Sequence, residues 1–324
     1  MQDAVVLKGV TKAFGDKRAV DGLDLAIPRG SLCGFIGPNG AGKTTSIRMI
    51  MSILFPDRGE ITVLGHSSAL DAKDRIGYLP EERGLYRKMK VGAFLRYLGG
   101  LKGVSSARLK SRIPDWLARL DLEGVEGKRC DDLSRGMQQK VQLIASLLNE
   151  PDLLILDEPF SGLDPVSTRS LRALLGEEQQ RGTTILFSTH MMAEAELLCD
   201  RVVMIHRGRK VLDQSVAEIR AQYDPRSVLF EPLNPAADMA QLQALASVNR
   251  IEHHNDAYEL KLQEDVDLAT AMRDIAATVA PAKLQVQRPS LEDIFVQIVT
   301  TGSEEGADEL EMHGQAVTTK EGQP

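Results

Sequence analysis

The sequence predicts an α/β domain built around a phosphate-binding loop, followed by a small α+β domain of ferredoxin-like pattern. Three observations carry this expectation. The stretch FIGPNGAGKTT, Phe35 to Thr45, fits G-x-x-x-x-G-K-[ST] with Gly37, Gly42, Lys43 and Thr44 in the fixed places. Downstream, short apolar strands alternate with helical stretches, as in a largely parallel sheet covered on both faces. Beyond Tyr223 the texture changes, and strands and helices follow in the order β-α-β-β-α-β.

Ala4 to Val10 alternates loosely, and Leu23 to Ile27 reads as a second short strand. The turn Pro28-Arg29-Gly30 leads into Leu32 to Ile36, apolar enough for a fully buried strand. In the loop that follows, Gly37, Gly40 and Gly42 let the backbone turn tightly and bring N–H groups close to phosphate oxygens. Lys43 supplies a point charge for the β- and γ-phosphates, and the Thr44 hydroxyl can ligate Mg²⁺. The candidate nucleotide-binding set therefore runs through Gly37, Pro38, Asn39, Gly40, Ala41, Gly42, Lys43, Thr44 and Thr45. A helix from Thr45 to Leu54 points its N-terminus at the phosphates. Phe55 to Gly59 breaks the pattern and Glu60 to Leu64 is another strand, so a small antiparallel sheet should wrap the front of the core.

Arg75 to Pro80 reads as a strand halted by proline. Between residues 86 and 150 the apolar spacing turns helical, with Val91, Phe94, Leu95 and Leu98 in one stripe and Trp116, Leu117 and Leu120 in another. This is a helical insertion, and Trp116 reads as core or interface filler. The sheet resumes at Leu153 to Leu156. Helix Pro165 to Gln180, strand Thr183 to Ser188, helix Met191 to Cys199 and strand Arg201 to His206 follow. In the last third, strands are expected at Ser227–Phe230, Val248–Glu252, Tyr258–Leu262 and Ala282–Gln287, with a turn at Asn255-Asp256. Helices are expected at Ala236–Ala246 and Leu268–Val279. Ser290 and Asp293 make a capping box for a last helix through Val299. The domain limits expected are 1–223, 224–300 and a disordered tail from 301 to 324.

With 324 residues, 43% of them apolar, the chain can bury two cores. No run of some 18 apolar residues occurs, so no membrane span is expected. The opening MQDAVVLKGV lacks the basic and apolar blocks of a signal peptide, and Cys33, Cys130 and Cys199 show neither metal nor disulfide spacing. Reduced cytosol is the plain reading. The net charge of −7 is unevenly placed, the acid excess lying in the last third. No basic tract of five or more occurs, which argues against nucleic acid as a partner.

Four further residues carry chemistry. Asp157 closes an apolar strand, where a carboxylate can reach the Mg²⁺ held by Thr44, and Glu158 can accept a proton from an attacking water. His190 ends ILFSTH at a strand's C-terminal edge, where ligands bind in α/β sheets, and suits either a structural histidine or a γ-phosphate contact. Ser134 reads as the N-cap of a helix running to about Leu148. That helix start is either a plain cap or an anion site for a second molecule.

With these motifs in order, residues 3–220 resemble the nucleotide-binding subunit of an ABC transporter. The phosphate loop, the signature LSRGMQQ, the strand LLILDE, the loop SGLD and His190 stand in family order and at family spacing. The resemblance implies ATP and Mg²⁺ as cofactors and two such domains closing head to tail. Each ATP would then lie between the phosphate loop of one and Ser134 and Gly136 of the other. Phe14 matches the aromatic that stacks on adenine, and Asp164 the aspartate that communicates across the dimer. Further partners implied are separate transmembrane permease chains, which would place this protein on the cytoplasmic face of the inner membrane. The C-terminal segment ending PSLEDIF is similar to an extra domain on some bacterial exporter subunits related to sodium and drug efflux.

Three residues depart from the family pattern. Arg135 replaces the usual second signature glycine, and Met137 a glutamine. Glu81, in RIGYLPEERGLY, stands where the family has the glutamine that touches Mg²⁺ and the lytic water. A carboxylate is an acceptable Mg²⁺ ligand, so Glu81 either joins the metal or turns to solvent. The leading expectation is an ATPase that powers export of an unidentified substrate. The alternatives are a soluble ATPase of the same family acting on ribosomes or DNA, and a regulator that binds nucleotide without hydrolysing it. Intact Lys43, Asp157, Glu158 and His190 argue against the regulator.

Overall fold

The computed structural model describes residues 3–82, 84–222, 227–254, 257–263, 265–287 and 289–300. The first strands, β1 (Asp3–Phe14) and β2 (Lys17–Pro28), are longer than their sequence pattern suggests. Register shifts between Leu7 and Lys12 let β1 bend, and those irregularities break the alternation. The buried strand is where it was expected, as β3 (Leu32–Ile36). Helix α1 (Lys43–Ile50) begins two residues early because Gly42, in a left-handed conformation, caps it, and it ends before Ser52, whose φ is 55°. Next come β4 (Arg58–Val63), a 3₁₀ stretch at Ala69–Arg75, and β5 (Ile76–Leu79). The helical insertion consists of α2 (Val91–Leu101), α3 (Ser106–Arg119) and α4 (Arg135–Leu147). Trp116 is buried there, with the Arg119 guanidinium 4.4 Å from its ring, so it is core as expected.

The sheet resumes with β6 (Leu153–Asp157), α5 (Pro165–Gln180), β7 (Thr184–Thr189), α6 (Met192–Leu198) and β8 (Arg201–His206). The sequence reading missed β9 (Arg209–Ser215) and α7 (Val216–Gln222). Strand β9 is a charged, half-buried edge, so it carries no apolar run. It pairs antiparallel with β8 through a two-residue turn, in which Arg207 and Gly208 have φ of 47° and 80°.

These strands form two sheets. An antiparallel one has the order β2-β1-β4, and the central one the order β5-β6-β7-β3-β8-β9, parallel except at β9. Strands β3, β6 and β7 are buried along their whole length, as a parallel sheet under helices requires. Their C-terminal ends are the edge from which the phosphate loop and the residues after Asp157 and Thr189 emerge. No helix among the described residues is long and apolar enough to cross a membrane.

The chain divides into two compact units, and the smaller spans Ala217–Val296. It contains β10 (Ser227–Pro232), α8 (Ala240–Gln243), β11 (Val248–His254), β12 (Ala257–Leu262), α9 (Leu268–Thr278) and β13 (Pro281–Gln287). All pairings are antiparallel in the order β11-β12-β10-β13, the ferredoxin-like arrangement expected from the element order. Helix α8 is one turn rather than three. Asn234 and Asp238 accept hydrogen bonds from the N–H groups two residues on, which competes with helix in the preceding segment. Ser290 and Asp293 exchange hydrogen bonds as a capping box, and residues 291–300 are helical. The expected turn at Asn255-Asp256 and the tail from 301 lie outside the described residues.

Phe230, Val228, Leu260 and Ile275 close a core made only of the second unit's own residues. A chain cut after Tyr223 is therefore expected to melt cooperatively and to bind nucleotide as the full chain does. Calorimetry and a nucleotide titration check this; an insoluble or non-binding product would show that the two units do not separate here.

Candidate nucleotide site

Two glycines shape the loop, each for a steric reason. Gly37 has φ 155°, and a Cβ there would lie 2.2 Å from the Ile205 carbonyl oxygen. Gly42 has φ 110°, and a Cβ there would lie 2.4 Å from the Ala19 carbonyl oxygen. Lys43 opens α1 and folds its buried side chain back over the loop. Its Nζ donates to the carbonyls of Gly37 at 2.7 Å and Pro38 at 3.2 Å.

The carboxylates come from the end of β6. Asp157 is 1% exposed, and its Oδ1 accepts from the hydroxyls of Ser188 and, at 3.3 Å, Thr44. Burial pushes its carboxyl up from the ordinary value, against those two hydrogen bonds. Glu158 follows with φ 52°, a strained conformation for a non-glycine residue that the N–H bond to the Ser188 carbonyl at 3.1 Å helps hold. Its Oε1 lies 3.6 Å from Lys43 Nζ, and its Oε2 3.0 Å from His190 Nδ1. Asp157 Oδ2 and Glu158 Oε1 are both buried without a hydrogen-bond partner.

A cavity of about 370 Å³ runs over this cluster, and Phe14, Asn39, Gly40, Gly42, Lys43, Thr44, Thr45, Glu81 and Glu158 line it. Phe14 is half exposed at its mouth, with Lys12 Nζ 5.7 Å from the ring. Glu81 is exposed and also lines a smaller cavity beside Asp157 and Glu158. His190 reaches the site through Glu158. Ser134, Gly136 and Asp164 do not line the cavity of their own chain. Ser134 caps α4 by accepting from Met137 N–H at 3.3 Å, and Asp164 caps α5 by accepting from Val166 and Ser167. Backbone and hydroxyl bonds from Ser167 hold the Asp164 carboxyl below the usual value. Sequence reasoning missed Lys17 and Ala19 on the cavity wall and Ser188 beneath Asp157. Only the Ser188 position, one strand over from Asp157, left a signal, as a hydroxyl at the end of an apolar strand.

Residues 20–161 match the family model described as ABC transporter. Over 290 residues the chain is 38% identical to the uncharacterized ABC transporter ATP-binding protein YhaQ of Bacillus subtilis, covering 90% of this chain and 96% of that one. The chain belongs to the ABC transporter ATP-binding proteins. Residues 215–299 match the C-terminal domain of DrrA1-3-like ATP-binding proteins. Residues 129–194 also match a model described as AAA domain, putative AbiEii toxin, Type IV TA system. The Nod factor export ATP-binding protein I of Rhizobium sp. is 34% identical over 305 residues, 93% of this chain and 98% of that protein. A solved structure of an ATP binding subunit of an ABC transporter superposes with a TM-score of 0.63 at 33% identity, covering 68% of this chain and 92% of that one.

This ATP-binding subunit is thus an ATPase, with ATP and Mg²⁺ as cofactors. The residues present fit both. The buried orphan oxygens of Asp157 and Glu158 call for a cation and a water, and Lys43 sits on carbonyls that phosphate oxygens can replace. Among the described residues no group of three acidic, histidine or cysteine side chains forms a metal cage.

Proposed function

We propose that this ABC subunit energises export of a substrate through separate transmembrane permease chains, working as a closed homodimer on the cytoplasmic face of the membrane. The observation that carries it is the assembled cluster in which Glu158 is held between Lys43 at 3.6 Å and His190 at 3.0 Å, beside Asp157 and Thr44. The likeness to the Nod factor export ATP-binding protein I of Rhizobium sp. supports export as the direction of transport.

In this reading Glu158 takes the proton of the attacking water and His190 orients its carboxylate. The loop N–H groups from Gly37 to Thr45 and the Lys43 ammonium hold the phosphates, and Phe14 stacks on the adenine. Thr44, Asp157 and Glu81 would hold Mg²⁺, whose charge offsets that of the phosphates. Ser134, Gly136 and Asp164, absent from their own chain's cavity, serve the partner's ATP. Nucleic acid plays no part.

Identification of the membrane proteins that co-purify with the chain from its native membrane tests the transport reading; recovery with ribosomes or DNA instead would end it. Glu81 has its own test. A carboxylate about 4 Å from a phosphate oxygen is repelled by several kcal/mol at an effective dielectric near 20, and a divalent ion between them reverses the sign. Glu81→Ala should then raise the Mg²⁺ concentration for half-maximal hydrolysis and leave metal-free ATP affinity unchanged. An unaltered Mg²⁺ dependence would release Glu81 from the metal.

A further inference from the structure

A second, smaller cavity of about 60 Å³ lies next to the nucleotide cavity, with Glu81, Gln139, Gln142, Asp157, Glu158 and Ser161 on its wall. At about 30 Å³ per molecule it has room for on the order of two waters. Its acidic side is short of donors. Asp157 Oδ2 and Glu158 Oε1 are buried and carry no hydrogen bond, and Glu81 adds a third carboxylate. Elsewhere on the wall, Gln139 spends its amide on the Pro159 carbonyl, and Ser161 is exposed to solvent.

Gln142 differs from both. It sits on the buried face of α4, 7% exposed, and its side chain has no hydrogen-bond partner among the described residues. Its Nε2 lies 3.8 Å from where a Cβ on Gly84 would stand, so the amide is turned toward the segment that carries Glu81. Neither its Oε1 nor its Nε2 is sealed from solvent without a partner, so the amide is open to water in this cavity. The cavity supplies both the water and the acceptors.

We propose that Gln142 is a positioning residue for hydrolysis. Its amide N–H donates to water in this cavity and holds that water against the buried Glu158 carboxylate. The signature helix α4 is thereby joined to the catalytic carboxylate inside one chain. This rests on the assignment of Glu158 as the proton acceptor.

Replacement of Gln142 by methionine keeps length, flexibility and helix propensity and removes the amide. In the full chain, Q142M should lower kcat about threefold to tenfold, the size of one neutral hydrogen bond, with KM for ATP within twofold of the parent. Its melting temperature should lie within about 3 °C of the parent's, which shows that Q142M folds. A Q142M enzyme as fast as the parent overturns the proposal, and so does one in which KM for ATP rises in step with the loss of kcat. E158Q run alongside separates the two ideas: equal turnover by E158Q and the parent removes the Glu158 assignment itself, whereas a slow E158Q with a fast Q142M removes only the role of Gln142.

Discussion

Glu158→Gln is expected to stop ATP turnover while leaving ATP binding intact. The substitution keeps the size of the side chain beside Lys43 and His190, but takes away its charge and with it the proposed proton acceptor. Loss of a general base costs about 10²–10⁴-fold in rate. Because the backbone at Glu158 is strained at φ 52° and tied to Ser188, glutamine should occupy the same place, and the fold should not change. The variant should accumulate as an ATP-bound dimer, which light scattering with Mg²⁺ and ATP would detect. Hydrolysis near the parental rate would remove Glu158 from the mechanism.

Gly42→Ala should have the opposite signature, losing binding rather than chemistry. At φ 110° an alanine is strained by roughly 1–3 kcal/mol, and its Cβ would meet the Ala19 carbonyl oxygen at 2.4 Å. Neither atom belongs to a flexible side chain, so β2 or the loop itself must move. Gly42 also caps α1, and a displaced cap re-aims Lys43 and Thr44, the next two residues. ATP affinity should fall by about a hundredfold, equivalent to roughly 3 kcal/mol. The melting temperature should drop by about 5 °C or more. A titration showing affinity within threefold of the parent would mean that the loop tolerates a Cβ.

The sequence by itself determined the parts of this protein whose cause is local. Strand β3, helix α5 and strand β8 lie between their expected limits because an unbroken apolar run, an Asp-Pro start and a Gly-ended turn act within a few residues. The phosphate loop and the Asp157-Glu158 pair were legible for the same reason: their chemistry depends on residue types at fixed short spacings. The ferredoxin-like order of the second unit also followed from the succession of elements, since short connections leave few topologies open. Local chemistry misled where a competing side-chain bond outweighed periodicity, as at Asn234 and Asp238 before α8. The edge strand β9 was missed because half-buried, charged residues carry no apolar signal.

The tertiary structure alone decided which atoms meet. No spacing rule says that His190 reaches Glu158 Oε2, that Ser188 lies beneath Asp157, or that Ala19 walls the nucleotide cavity. The burial of Gln142 belongs here too. On the helix pattern it reads as one polar residue in α4, and only the packing around it brings it to the wall of a cavity shared with Glu81, Asp157 and Glu158. Contacts between residues far apart in sequence depend on how sheets and helices stack, and a linear pattern records only that a side chain is buried, not what it is buried against.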